Sequence, residues 1–456
     1  MLTQLIWLTG GVVLTAMVVA YRSSRDPLHP LMFLGPILIY IYCLQPALLH
    51  QGDQLSPFFP DRSVLVYVHI VNLLGVALFC AGCLRIRVRF RDARSSPRTF
   101  TPPREMLRRL RSLAYLLGLF GVGNSLYMLS LRGGIIAAFS APKGGGSASS
   151  GYLSESPMLT LPAIVFYLMS LHGQRVRPRN IAMILLFASP HLIYGLLGSR
   201  RGPLFLILAA LLWSWYLVSS RRPSLRFILT SVALIGVMVA FVISHRRQLY
   251  LGSDFDFNPS LILQSFSSAE ATPGDLYVVG SGQILNSRFH GKHLWGHRYA
   301  VTFFIRPIPK QIWPTKYEDS GMPEFARGNP NCFDNRQWMQ SLHWTPDRGS
   351  AVGFVADMYL EFGWGFAALS YVLGSLFNLL WQRAVTRKGL WTVLYIEASI
   401  LSLYLPAQSV GAWLYRFLLL AIPSVFVWKV LVEPILRQSG RPLHPRFASY
   451  QILPNA

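Results

Sequence analysis

The chain has 456 residues, of which 52% are apolar and 13% charged, with a formal net charge of +23. Repeated apolar runs of about 20 residues, the length an α-helix needs to cross roughly 30 Å of hydrocarbon, exclude an ordinary soluble domain. Most of the arginines lie in short connections between those runs, which is how a membrane protein sets its orientation and argues against nucleic acid as a partner.

Apolar runs near residues 2–21, 31–49, 63–84, 112–131, 157–172, 181–197, 203–219, 227–244, 350–381, 390–407 and 413–432 predict an all-α, polytopic integral membrane protein. It has about 11 transmembrane helices and one large extracytoplasmic loop region. The first run lacks a basic leading segment and a clear cleavage site, so it reads as a span and not as a signal peptide. The connection from Arg85 to Arg111 is dense in arginine and is assigned to the cytoplasmic side. Alternation then puts "GQRVRPRN", "SSRRPSLR", "QRAVTRKG" and the tail after Glu433 on that side, all of them basic, with the N-terminus outside. The resulting division is a membrane domain over 1–244, an extracytoplasmic region over 245–349, a second membrane part over 350–432 and a cytoplasmic tail over 433–456.

Several motifs carry little chemistry. Cys43, Cys80 and Cys83 fall in apolar runs, so "CAGC" reads as packing, and Cys332 has no partner in the outer region for a disulfide. The stretch "KGGGSASSG" has its lysine and glycines in the wrong order for a phosphate-binding loop. No internal repeat is visible, which weakens an inverted-repeat transporter. The histidines of "HGKHLWGH" lack a carboxylate or cysteine at ligand spacing, so no metal site is expected there. His191 beside Pro190 reads as a satisfied interior group at a kink.

Other segments place charge where it is costly. In "RGSAVGFVADMYLEFGWG", Arg348 to Gly365, a polar segment runs into an apolar helix whose first turns are expected where membrane meets water. Asp357 and Glu361 are four apart and share a helix face at that depth; the structural alternative is a salt bridge to Arg348 or Arg416. "YAVTFFIRPIPKQIWPTKY" is too short to span and too apolar to float free. It is expected to be re-entrant or interfacial, held by Trp313 and Tyr317, with Arg306 and Lys310 on one face, serving either lipid headgroups or a ligand. In "GSRRGP", Arg200 and Arg201 sit on the outer face against the charge rule, beside a helix start favoured by Pro203. That points to an anionic ligand, with snorkelling to headgroups as the alternative. Arg416, early in the last span, must face the protein interior, either toward a ligand or toward Glu397. His343, just before the entry helix, is a candidate proton acceptor.

"LLGSRRGPLFLILAALLW", the loop motif "FIRPIPKQIWP" and "GSAVGFVADMYLEFGWG" together resemble the O-antigen polymerase family of oligosaccharide repeat-unit polymerases, best over the second half. The resemblance implies a GT-C-like glycosyltransferase of the bacterial inner membrane that needs neither metal nor other cofactor. It would join undecaprenyl-diphosphate-linked oligosaccharides at the periplasmic face, among membrane lipids and with a chain-length regulator protein as a possible partner. The family's small-residue start and acid-x-Tyr pattern match Gly349, Ser350, Gly353, Asp357 and Tyr359, whereas Glu361 has no matching position. The reaction needs a clamp for the departing diphosphate, for which Arg200, Arg201, Arg306, Lys310, Arg348 and Arg416 are candidates with Tyr359. It also needs a base, which could be Asp357, Glu361 or His343. The alternatives are an O-antigen ligase and, in another class, a lipid-linked oligosaccharide flippase or polysaccharide exporter. An exporter would line a midplane cavity with charge, whereas here charge gathers at the outer boundary.

Overall fold

A computed structural model of the chain describes residues 1–85, 88–90, 104–140, 155–172, 174, 177–198, 201–218, 271–308, 311–326, 333–347, 349–438 and 450–452, with isolated residues between 224 and 245. Among the described residues the chain is helical apart from one short ribbon, and eight helical stretches are long and apolar enough to cross a membrane. This is the architecture of a polytopic membrane protein. The first half contributes α1 (Leu2–Ser24), α2 (Pro30–Gln51), α3 (Ser63–Cys83), α4 (Arg104–Ser130), α5 (Ser156–Ser170), α6 (Pro178–Leu196) and α7 (Arg201–Val218). The predicted run at 227–244 lies largely outside the described residues, and "KGGGSASSG" and Cys332 lie wholly outside them.

Side chains show which solvent these helices face. Trp7 and Leu14 of α1, Phe120 of α4, Leu185 of α6, and Ile422 and Phe426 near the C-terminus are all exposed, as lipid-facing residues must be. By contrast α5 is buried on nearly all sides, and Cys43, Cys80 and Cys83 are free thiols packed in the core. The strand β1 (Val88–Phe90) pairs antiparallel with β2 (Tyr450–Ile452), so the tail returns to the arginine-rich connection that follows α3. That end of the bundle is called the basic face below, and the opposite end the far face.

On the far face lie α8 (Leu276–His290), α9 (His297–Ala300, continued by a π-helical turn Val301–Ile305) and α10 (Asn335–Leu342). They are followed by α11 (Gly353–Phe362), α12 (Phe366–Thr386), α13 (Leu390–Ala407) and α14 (Val410–Arg437). The single helix expected over 350–381 is in fact two. Gly363 takes φ 52° and ψ −136°, a backbone region open in practice only to glycine, and the chain reverses there. Contacts with α3 fix the directions. Val355 and Phe366 both lie against Gly75, while Tyr359 and Trp364 both lie against Tyr67, nearer the far face. Thus α11 climbs toward the far face and α12 descends from it, parallel to α3, with which it packs so closely at Gly82 and Gly374 that backbones touch.

The expectation that the entry helix begins at the boundary is therefore corrected: Gly353 is the inner end of a re-entrant half-helix. Helix α8 runs beside it in the same direction, with Leu276 near Gly353 and Gly280 against Val352 and Ala356. Two helix N-termini inside the bundle leave amide donors to be satisfied. Asp275 caps α8 through the amides of Tyr277 and Val278, and Gln45, just past a π turn in α2, donates to its other oxygen at 2.5 Å. The Gly353 amide donates to the Gln408 carbonyl at 2.9 Å.

Two measurements test this packing. An alanine methyl at Gly374 would fall on the backbone of Phe79, so Gly374→Ala should cost about 1–3 kcal/mol and lower the melting temperature in detergent. Gly123→Ala in α4, with open space around it, should be neutral or slightly stabilising. Burial raises the Asp275 carboxyl above its ordinary value, against the hydrogen bonds from Val278, Tyr277 and Gln45 that lower it. The folded chain then holds that proton more tightly than the unfolded one, so stability falls as pH rises from the ordinary carboxylate range through the raised value. Asp275→Asn keeps a capping oxygen and should melt higher than the parent at neutral pH, with the difference vanishing on acidification.

Candidate functional site

The segment Leu294–Tyr299 wraps the far end of α11. Leu294 and Trp295 donate their amides to the carbonyls of Leu360 and Glu361, groups that a helix end otherwise leaves unpaired. Trp295 (φ 51°) and Gly296 (φ 83°) turn the strap back, and the next residue but one is Arg298. Its Nε donates to Glu361 Oε1 at 2.6 Å and its Nη2 to Asp357 Oδ1. Glu361 Oε2 takes the Gly296 amide at 3.0 Å; Asp357 Oδ2 takes the Tyr299 hydroxyl at 2.7 Å and the Val410 amide at 2.9 Å. Burial, followed by the Asp357 charge, pushes the Tyr299 hydroxyl well above its ordinary pKa, so it acts as a donor. The side chains are sealed: Arg298 is 6% exposed and both acids 0%.

A second assembly adjoins the first through the turn at Gln408–Ser409. In α14, Arg416 donates from Nε and Nη2 to the two oxygens of Glu155, at 3.3 and 3.1 Å, and from Nη1 to Gln408 Oε1 and the Ala412 carbonyl. Its guanidinium lies 4.3 Å from the Tyr404 ring centroid and 5.8 Å from that of Tyr415. Arg306, at the end of α9, lies over the same Tyr415 ring at 4.9 Å. The buried Lys316 ammonium donates to the carbonyls of Ile305, Arg306 and Ile308 and so fixes the turn that carries Arg306. The start of α7 also reaches this place, because a Cβ on Gly202 would meet the Tyr404 hydroxyl at 3.6 Å. Near the basic face, Arg111 of α4 bonds Ser170 at the end of α5, so Glu155, which precedes α5, is at the far face. Two guanidiniums, a helix start and one carboxylate thus meet there, a combination suited to an anion.

Asp357 and Glu361, base candidates for which a salt bridge to Arg348 or Arg416 was the structural alternative, both pair with Arg298. Arg416 faces the interior but meets Glu155 and not Glu397, which is buried in α13 and accepts from Ser424 at 2.5 Å. Tyr359 bonds the Tyr67 hydroxyl at 2.6 Å, in an aromatic group with Trp364 over which Arg288 lies, apart from the cationic assembly. His343 ends α10 in a left-handed conformation, exposed, while its neighbour Trp344 is partly buried against Phe58 and the core residue Phe59. Arg200, Lys310 and Arg348 lie outside the described residues, and of Arg201 only the backbone is described. His191 meets Thr160 at 3.3 Å inside the bundle. His290, His293 and His297 meet the carbonyls of Gln337, Tyr359 and Ser320. Among the described residues no three His, Cys, Asp or Glu side chains are placed to hold a metal.

Arg298, Tyr299, Glu155, Tyr404 and Tyr415 were not singled out from the sequence. A signal existed for Arg298: it stands immediately before "YAVTFFI", the start of the segment expected to be re-entrant or interfacial. No family model, curated protein or solved structure matches the chain.

Removing one member of a sealed ion group strands the others. Arg298→Ala should destabilise by about 3–5 kcal/mol, and the triple variant Arg298→Ala, Asp357→Asn, Glu361→Gln should recover much of that loss in the same melting assay.

Proposed function

We propose that the chain is a polysaccharide polymerase joining undecaprenyl-diphosphate-linked repeat units at the outer face of the bacterial inner membrane, with its N-terminus outside and its C-terminus cytoplasmic. The observation that carries this reading is the meeting of Arg306, Arg416 and the start of α7 around Tyr404 and Tyr415, at the end opposite the basic connections. Cations at that end run against the orientation rule and suit a diphosphate that must be neutralised as it departs.

In this reaction an acceptor hydroxyl attacks the anomeric carbon of the growing chain. The bond from that carbon to the diphosphate breaks, the lipid diphosphate leaves with the electron pair, and the hydroxyl proton passes to a base. Guanidinium groups supply the charge neutralisation, so the mechanism is metal-independent. Asp357 and Glu361 are already committed to Arg298, Tyr299 and Val410, and in this reading they are positioning residues that hold the strap and the α14 start in register. His343, exposed on the same face, is then the candidate proton acceptor.

Purified protein given lipid-linked repeat units should yield a product ladder without nucleotide or divalent metal, and EDTA should leave it unchanged. Arg306→Ala and Arg416→Ala should each lower extension about 100-fold or more while the protein still folds. Cells carrying them should keep a single capped repeat unit. Loss of activity in EDTA with rescue by magnesium would overturn the metal-free mechanism. Loss of all capping would point to a ligase.

A further inference from the structure

We infer that Glu155 is an internal stand-in for the ligand of the cationic assembly, a carboxylate that holds Arg416 until a diphosphate group displaces it; this rests on the diphosphate reading given above. The two ion groups of the far face differ in one decisive respect. Arg298 and its acids are sealed, at 6% and 0% exposure, whereas Arg416 and Glu155, though mostly enclosed, are each 16% exposed. An arginine fork that donates to both oxygens of a carboxylate donates equally well to two oxygens of a phosphate.

The position of Glu155 in the chain suits a movable group. It stands just before the 3-10 turn Ser156–Leu159 that opens α5, and Asn124 of α4 holds Ser156, the next residue. Release of the Glu155 side chain from Arg416 breaks none of the bonds that hold Ser156 and the start of α5. Charge favours the exchange. Among the described residues Arg306 has no carboxylate partner, yet its guanidinium and that of Arg416 lie on one Tyr415 ring. A single carboxylate engages one of the two, while a diphosphate, with more than one negative charge, can engage both. Gln408 and the Ala412 carbonyl hold Arg416 Nη1 in place during the exchange, so the fork stays aimed as its partner changes.

The test uses the full chain in nanodiscs of zwitterionic lipid, with carboxyl groups labelled by a water-soluble carbodiimide and glycine ethyl ester and read by mass spectrometry. Farnesyl diphosphate should raise labelling of Glu155 about threefold or more, and phosphatidylglycerol in the disc should not. Glu155→Gln should bind farnesyl diphosphate about tenfold more tightly than the parent, and Arg416→Ala at least tenfold more weakly, the scale of one charge-assisted contact. If farnesyl diphosphate binds through Arg416 but leaves Glu155 labelling and the Glu155→Gln affinity unchanged, the displacement is wrong and the diphosphate site stands. If farnesyl diphosphate does not bind, or Arg416→Ala binds it normally, the diphosphate reading falls and the displacement with it. Equal exposure of Glu155 by phosphatidylglycerol would reassign the site to lipid headgroups. Labelling on the parent chain decides the matter even if Glu155→Gln folds poorly.

Discussion

The Arg298 guanidinium, held between Asp357 and Glu361, is the interaction on which the far face is assembled. It ties α9 to α11, and through Asp357 and the Val410 amide it ties both to the start of α14. Neither α9 nor α11 is long enough to be fixed by lipid alone. A helix that crosses the membrane is held by its apolar length, but a half-helix such as α11 has one end inside the protein and must be anchored by bonds. The backbone completes what the ions begin: Leu294 and Trp295 close the far end of α11, and the Gln408 carbonyl takes the amide at its inner end.

This arrangement explains why two carboxylates are kept at a depth where each is costly. Every oxygen of Asp357 and Glu361 has a donor, so the pair is a satisfied network and not a strained one. A group used in this way does not need to touch substrate for its loss to stop function. Its removal would free the strap, and with it α9, whose end carries Arg306 over Tyr415.

The polytopic helical architecture was legible in the sequence, with eight helical stretches among the described residues long enough to cross against about 11 expected, because lipid imposes a length and a composition that no tertiary contact can override. The basic connections were legible for a similar reason. What could not be read was pairing over distance. Arg298 lies 59 and 63 residues from its acids, and Arg416 lies 261 from Glu155, separations at which no local spacing rule operates. The reversal at Gly363 was hidden as well, since "FGWG" sits in an unbroken apolar run and only the shared contacts with α3 show the turn. Arg306 and Arg416 could be picked out singly, because each is a cation in apolar surroundings; that they share Tyr415 required the fold.

The two ion groups divide the work of the far face by their access to solvent. Sealed charges cannot exchange partners without breaking the fold, so the Arg298 group is a fixed point. The Arg416 pair is at an edge, joined to that fixed point by only the short turn at Gln408–Ser409, and beside a second arginine that has no carboxylate among the described residues. Among the described residues, positive charge is thus balanced by carboxylates around Arg298 and exceeds them around Arg306 and Arg416. A translocation path would require the reverse, with exchangeable charge deep in the bundle. That placement, with Arg306 and Arg416 on one Tyr415 ring, is what the proposed reaction at the membrane surface rests on.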